Sequence, residues 1–140
     1  MKHILDLSNR GLNTIKPGDI QNCPSTLYVD KNHINDLPNE LKSIRSLRKI
    51  SAYHNDFTHI PEVVFELNEL EWINFSANQL TVVPNAIQRL SQLHTLDIQH
   101  NHIEKLPESL GKLTKLKFLY LAGNKLRTLP DDLSRLTNLL

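Results

Sequence analysis

The chain is expected to form an α/β solenoid, with a parallel sheet on a concave face and short helical or 3₁₀ segments on a convex face. Three observations predict this. Asn32, Asn55, Asn78, Asn101 and Asn124 stand 23 residues apart. Pro38, Pro61, Pro84, Pro107 and Pro130 follow at the same step, each six residues after its asparagine. Leucine supplies 25 of the 140 residues and fills much of the space between these ladders. Two ladders sharing one period mark an internal repeat, which takes precedence over any local pattern.

Each element of the repeat has a physical reason. Leu96-Asp97-Ile98 alternates apolar and polar residues, the period of a strand with one face buried. One such strand per repeat stacks in parallel on the next at about 4.8 Å. The asparagine follows the strand where the chain turns inward. Its amide both donates and accepts, so it can satisfy backbone groups freed by the turn. Proline then holds φ near −65° and suits the first turn of a helix. Beyond it the apolar spacing becomes three, as in Leu110 and Leu113 or Leu133 and Leu136, which predicts a short helical or 3₁₀ segment on the outside. No repeat can bury its leucines alone, so the core must run continuously through the stack.

Two copies show the pattern in full. They read Leu93-x-x-Leu96-x-Ile98-x-x-Asn101-x-Ile103-x-x-Leu106-Pro107-x-x-Leu110-x-x-Leu113, and Leu116-x-x-Leu119-x-Leu121-x-x-Asn124-x-Leu126-x-x-Leu129-Pro130-x-x-Leu133-x-x-Leu136. Copies from Leu70, Leu47 and Pro24 keep the register. The first copy is degenerate: Arg10 stands at the asparagine position, and its second half, Lys16-Pro17-Gly18-Asp19-Ile20, is one residue short. The six repeats span about 2–23, 24–46, 47–69, 70–92, 93–115 and 116–138, with 139–140 reading as the start of a seventh. This pattern resembles the leucine-rich repeat family, in its 23-residue form with Leu-Pro-x-x-Leu in the second half. The resemblance covers residues 2 to 138. It implies a horseshoe-shaped leucine-rich-repeat solenoid. Repeats similar to these occur in Ras-pathway and polarity scaffolds and in effectors injected by intracellular bacteria.

Composition excludes several functions. Sixteen Lys and Arg against 15 Asp and Glu give a net charge of +1, without the basic excess of a nucleic-acid binder or the polybasic cluster of a membrane anchor. A single cysteine excludes an internal disulfide framework and a four-cysteine zinc site. No apolar run approaches the roughly 20 residues that span a bilayer. No uninterrupted apolar stretch opens the chain, so no secretion signal is read and a cytoplasmic location is expected. If the chain is a bacterial effector, it acts after delivery into a host cell. The short N-terminal lead and the terminal Leu139-Leu140 lack polar caps, so the chain is expected to be a fragment of something longer, or else to have its edges covered by another molecule.

Strand alternation assigns the side chains free to act. The concave positions hold five of the eight aromatics: Tyr28, Tyr53, Trp72, Phe118 and Tyr120. Exposed Tyr and Trp on a rigid surface anchor protein interfaces, although aromatics also suit pleated surfaces on their own account. Lys49, Asn74, Asp97 and Gln99 complete the candidate partner-binding set. The mixed charges of Asp6, Asp30, Lys31, Lys49 and Asp97 point to a protein partner rather than a polyanion.

Other motifs are weaker. His54 and His100 share a row two repeats apart, about 10 Å, too far for one zinc ion. His100 and His102 lack completing ligands and read as solvated or interface residues. Gly111-Lys112-Leu113-Thr114 lacks the upstream glycine of a phosphate loop. Asn74-Phe75-Ser76 spells a glycosylation sequon, expected to be unmodified. Cys23, beside Pro24, reads as a packing residue. Asp131 and Asp132 complement the start of an outer segment. Glu40, Lys42, Glu66, Arg89, Lys112 and Arg135 read as a solvated outer surface, with Val63 and Phe65 as apolar exceptions suggesting a secondary contact.

The function expected from this pattern is protein–protein recognition on the concave face, without catalysis, cofactor or metal, and in a monomer. Two rival readings stand beside it. The chain can be the targeting domain of a ligase, kinase or phosphatase whose catalytic part lies elsewhere. Alternatively, it can be a structural repeat that associates edge to edge.

Overall fold

The computed structural model describes residues 3–140, so Lys2, the expected start of the first repeat, and Met1 lie outside the described residues. Six three-residue strands form one open sheet in chain order: β1 (Ile4–Asp6), β2 (Thr26–Tyr28), β3 (Lys49–Ser51), β4 (Trp72–Asn74), β5 (Thr95–Asp97) and β6 (Phe118–Tyr120). All neighbours pair in parallel. From β2 onward each Cα pairs with the residue 23 positions later, as Thr26 does with Lys49. Between β1 and β2 the step is 22, Ile4 pairing with Thr26, because the first repeat is one residue short.

The outer segments are all 3₁₀ turns: Pro17–Asp19, Asn39–Ser43, Glu62–Glu66, Asn85–Arg89, Glu108–Lys112 and Asp131–Arg135. Three residues per turn matches the apolar spacing of three, so Leu110 falls inward each time a turn closes. The five laddered prolines sit one residue earlier than a first helical position. They are N-caps with φ between −76° and −55° and ψ between 139° and 160°. Their carbonyls accept the first bond of each turn, as Pro61 does from the Val64 N–H at 3.0 Å. Proline serves here because it holds an extended entry while needing no donor.

The core lies between sheet and turns. Leu27, Ile50, Ile73 and Leu96 at the strand centres are fully buried, as are Val29, Ala52, Phe75 and Ile98 two residues on. Phe57 meets Phe75 edge to face, ring centroids 5.1 Å apart. In β6 the matching Leu119 and Leu121 are half-buried, being flanked by β5 alone.

The expectation that Val63 and Phe65 mark an outer contact is corrected here. They are 4% and 1% exposed. The turn Glu62–Glu66 packs between Asn39–Ser43 and Asn85–Arg89, so side chains pointing sideways from it are covered by adjacent repeats. The outer charges Glu40, Lys42, Glu66, Arg89, Lys112 and Arg135 are all exposed. No helix of the described residues is long and apolar enough to cross a membrane.

Candidate functional site

The candidate site is the sheet face turned away from the 3₁₀ layer. Strand pairing aligns its side chains in rows: Lys49 beside Trp72, Asn74 beside Asp97, and Asp97 beside Tyr120. Tyr28, Tyr53, Trp72, Asn74, Asp97 and Gln99 are half-buried and Lys49 is exposed. Phe118 and Tyr120 are 40% and 44% exposed, and their rings stack with planes 4° apart and centroids at 6.4 Å. The three phenylalanines off this face, Phe57, Phe65 and Phe75, are in the core. The small residues Thr26, Ser51, Ser76 and Thr95 point to the same side of the sheet but are buried beneath their larger neighbours.

Two contacts organise the aromatic part. The Lys49 ammonium lies 5.9 Å from the Trp72 ring centroid, within cation–π range. Tyr53 meets His54 edge-on at 5.8 Å.

The polar part repeats a local motif. Asp6 accepts the Ser8 N–H at 2.9 Å, Asn74 accepts the Ser76 N–H at 2.8 Å, and Asp97 accepts the Gln99 N–H at 3.1 Å. Each is a short side chain bonding its own backbone two residues on, which fixes its rotamer on the face. Asn74 also accepts the Ser76 hydroxyl at 2.6 Å, and Asp97 the Gln99 side-chain amide at 3.3 Å. Asp30 reaches across instead, accepting the Ser51 hydroxyl at 2.5 Å and the Tyr53 N–H at 2.9 Å.

These surroundings move two carboxyls in opposite directions. Hydrogen bonds from Ser8 hold Asp6 below the usual aspartate range, with help from Arg10. Burial pushes Asp30 above it. The bonds from Ser51 and Tyr53 oppose that rise, and the charge of Asp6 adds to it.

The asparagine row underpins the face. Asn78 donates to the carbonyls of Ala52 (2.9 Å), Phe75 (3.0 Å) and Ser76 (3.2 Å), and accepts the Phe57 N–H at 3.1 Å. Asn55 and Asn101 repeat this arrangement. Asn32 does so with two amides, those of Arg10 and Leu12. Asn124, half-buried, bonds Ile98, Leu121 and Ile103.

Immediately before each asparagine stands a residue in the left-handed region: Lys31, His54, Ala77, His100 and Gly123, with φ from 53° to 72°. Asn9 holds the matching place in the first repeat, with φ 56°. Except at Gly123, in the last repeat, the N–H of each is directed to the next strand's end, as His100 N–H is to the Ala122 carbonyl at 2.8 Å. Sequence reasoning missed this row because only Gly123 carries the usual residue signal. It also missed the aspartate-turn motif, which Asp-x-x and Asn-x-Ser after a strand could have suggested.

His54, His100 and His102 are exposed, and among the described residues no group of three or more His, Cys, Asp or Glu is placed to hold a metal ion. The expected packing role of Cys23 is corrected: it is exposed. Asn22 and Cys23 both have positive φ, 62° and 43°, and the matching position is uncovered in complete repeats too, Ser46 being half-buried and Glu69 exposed.

A family model described as a leucine-rich repeat region matches residues 70–140, half of the chain. No curated protein matches. A leucine-rich repeat protein of Leptospira interrogans superimposes with a TM-score of 0.80 at 29% identity, over 83% of this chain and 30% of its own. The PEPR1–AtPEP1 complex gives 0.73 at 33% identity, over 83% of this chain and 17% of that one. Internalin C2 of Listeria monocytogenes gives 0.73 at 25%, over 83% and 49%. The chain thus spans less than half the length of each. Six in-register strands, an asparagine row through five of the six repeats and this matched region agree: the chain belongs to the leucine-rich repeat family.

Proposed function

We propose that the chain is a non-catalytic recognition module that binds a protein partner on its open sheet face, as part of a scaffold or as an effector acting in the cytoplasm. One observation carries this reading. Every tyrosine, the only tryptophan and Phe118 lie on that face with surface accessible, while the other phenylalanines fill the core. Rigid aromatics give large contact area at small entropic cost. The likeness to a chain of the PEPR1–AtPEP1 complex and to an internalin supports a protein partner. Lys49, Asn74, Asp97 and Gln99 then act as polar contacts around the aromatic anchors.

The test is selection of peptides from a displayed random library on the wild-type chain, followed by affinity measurement on Tyr53→Ala/Trp72→Ala. Peptides recognised by the face lose several kcal/mol of binding on the variant, while its melting transition stays nearly unchanged. Equal affinity for both chains refutes the face as the binding surface.

A further inference from the structure

The open face carries a charge that the rest of the chain does not explain. Three positions per repeat face this side, from Ile4, Asp6 and Ser8 in the first to Phe118, Tyr120 and Ala122 in the sixth, and they include Asp6, Asp30 and Asp97 against Lys49 alone, a net of −2 on a chain of +1. Among the described residues, no Lys, Arg or His comes within ion-pair distance of those three carboxylates. The ion pairs found there, His33–Asp56, Arg48–Glu69, Arg48–Glu71, Arg89–Glu62 and Arg135–Asp132, all lie outside the strand rows. The nearby cations turn elsewhere. Arg10 donates to the Asp6 backbone carbonyl at 2.8 Å, and Lys49 lies against Trp72. Lys31 stands on the rim next to Asp30 in sequence and is exposed.

The aromatics are interleaved with these carboxylates. Tyr28 pairs with Asp6 across the strands and is two residues from Asp30. Tyr53 donates its N–H to Asp30. Asp97 pairs with Tyr120, which stacks on Phe118. Such an arrangement suits a long cationic side chain, whose apolar stem lies along a ring while its head reaches a carboxylate. Lys49 on Trp72 is an internal instance of a cation seated on this face.

We propose that the occupant is an extended peptide segment with two cationic side chains about four residues apart and an apolar side chain about two residues beyond the second, so that alternation turns all three to the sheet, an inference that rests on the open face being the binding surface. The spacing follows from geometry. Asp30 follows β2 and Asp97 lies in β5, three strand steps or about 14 Å apart, which an extended chain covers in about four residues. The next strand presents the Phe118–Tyr120 stack. The first cation meets Asp6, Tyr28 and Asp30, the second meets Asp97, and the apolar side chain lies on the stack.

The test uses a fluorescein-labelled dodecapeptide with two arginines four residues apart and a phenylalanine two residues after the second. Counterparts replace both arginines with norleucine or with glutamate. Each is titrated into the wild type and into Asp6→Asn/Asp97→Asn. Asparagine keeps the oxygen that accepts the Ser8 and Gln99 amides, so this variant folds as the wild type does, which its melting curve checks. The arginine peptide is expected to bind the wild type most tightly and to lose about tenfold on the variant, with the difference shrinking as salt is raised. Equal binding of the three peptides, or of the arginine peptide to both chains, overturns the inference. So does selection of neutral or acidic library peptides that remain sensitive to Tyr53→Ala/Trp72→Ala, and in that case the open-face reading survives. Insensitivity of every bound peptide to that aromatic variant removes both.

Discussion

The side-chain oxygen of Asn78 accepts the backbone N–H of Phe57 at 3.1 Å, joining one repeat to the one before it. The same side chain donates to Ala52 in the earlier repeat and to Phe75 in its own. Asn78 is 6% exposed, so water cannot replace these partners. Asn78→Ala is therefore expected to cost about 3 kcal/mol, since a buried amide and buried carbonyls lose their bonds together. Asn124→Ala, at a half-buried position with fewer bonds, costs less. Urea denaturation of the two variants gives the comparison, and equal losses contradict it.

The left-handed row offers a stabilising change. Ala77 holds φ 54°, a region where a Cβ crowds the following carbonyl. Ala77→Gly relieves that strain and is expected to raise stability by about 0.5–1 kcal/mol, after the entropy glycine loses on folding. Gly123→Ala runs the other way: φ is 72°, and its Cβ would lie 2.5 Å from the His100 ring nitrogen. Thermal melts should move in opposite directions for these two substitutions.

Asp30 has a pH signature. Its pKa is raised in the folded chain, chiefly by burial, so the folded state binds its proton more tightly than the unfolded state does. Its favourable contribution is complete below the unfolded value and is lost as pH rises through the folded one. Asp6, held down by Ser8, contributes above its unfolded value and loses that as pH falls through its folded one. Asp30→Asn keeps the acceptor for Ser51 and Tyr53. It should flatten the stability profile just above the ordinary aspartate range without loss at neutral pH. Denaturation across a pH series checks this, and a large loss at neutral pH contradicts it.

Phe65 in the outer layer behaves as a core residue. It is 1% exposed, so Phe65→Ala should destabilise by about 3–5 kcal/mol. Glu66→Ala, one residue on and exposed, should stay within about 0.5 kcal/mol of wild type. Calorimetric melts of both variants distinguish a buried wedge from a surface contact.

What could be read from the chain alone was whatever the period carries. Strand centres such as Ile50 and Ile73, the asparagines and the prolines recur at fixed steps, and each needs its residue type for a local reason. The face occupied by Tyr53 and Trp72 follows from alternation within a strand. Contacts between repeats are less legible. Phe65 is covered by turns from both neighbouring repeats, and nothing in its own repeat specifies that coverage. The Lys49–Trp72 contact depends on the register between strands, and the positive φ of Asn22 and Cys23 belongs to the one repeat that is a residue short. Left-handed backbone at Lys31 and Ala77 has no signature, because the surrounding ladder holds it there against the residue's own preference.

The asparagine amides reach toward the N-terminus, from Asn78 to Phe57 and from Asn101 to Leu80. Each carboxamide therefore closes the coil ahead of it in the chain, and trimming the stack from its C-terminal end would strip the last remaining coil of the acceptor for its own amide, as loss of Asn101 would leave the Leu80 N–H unpaired.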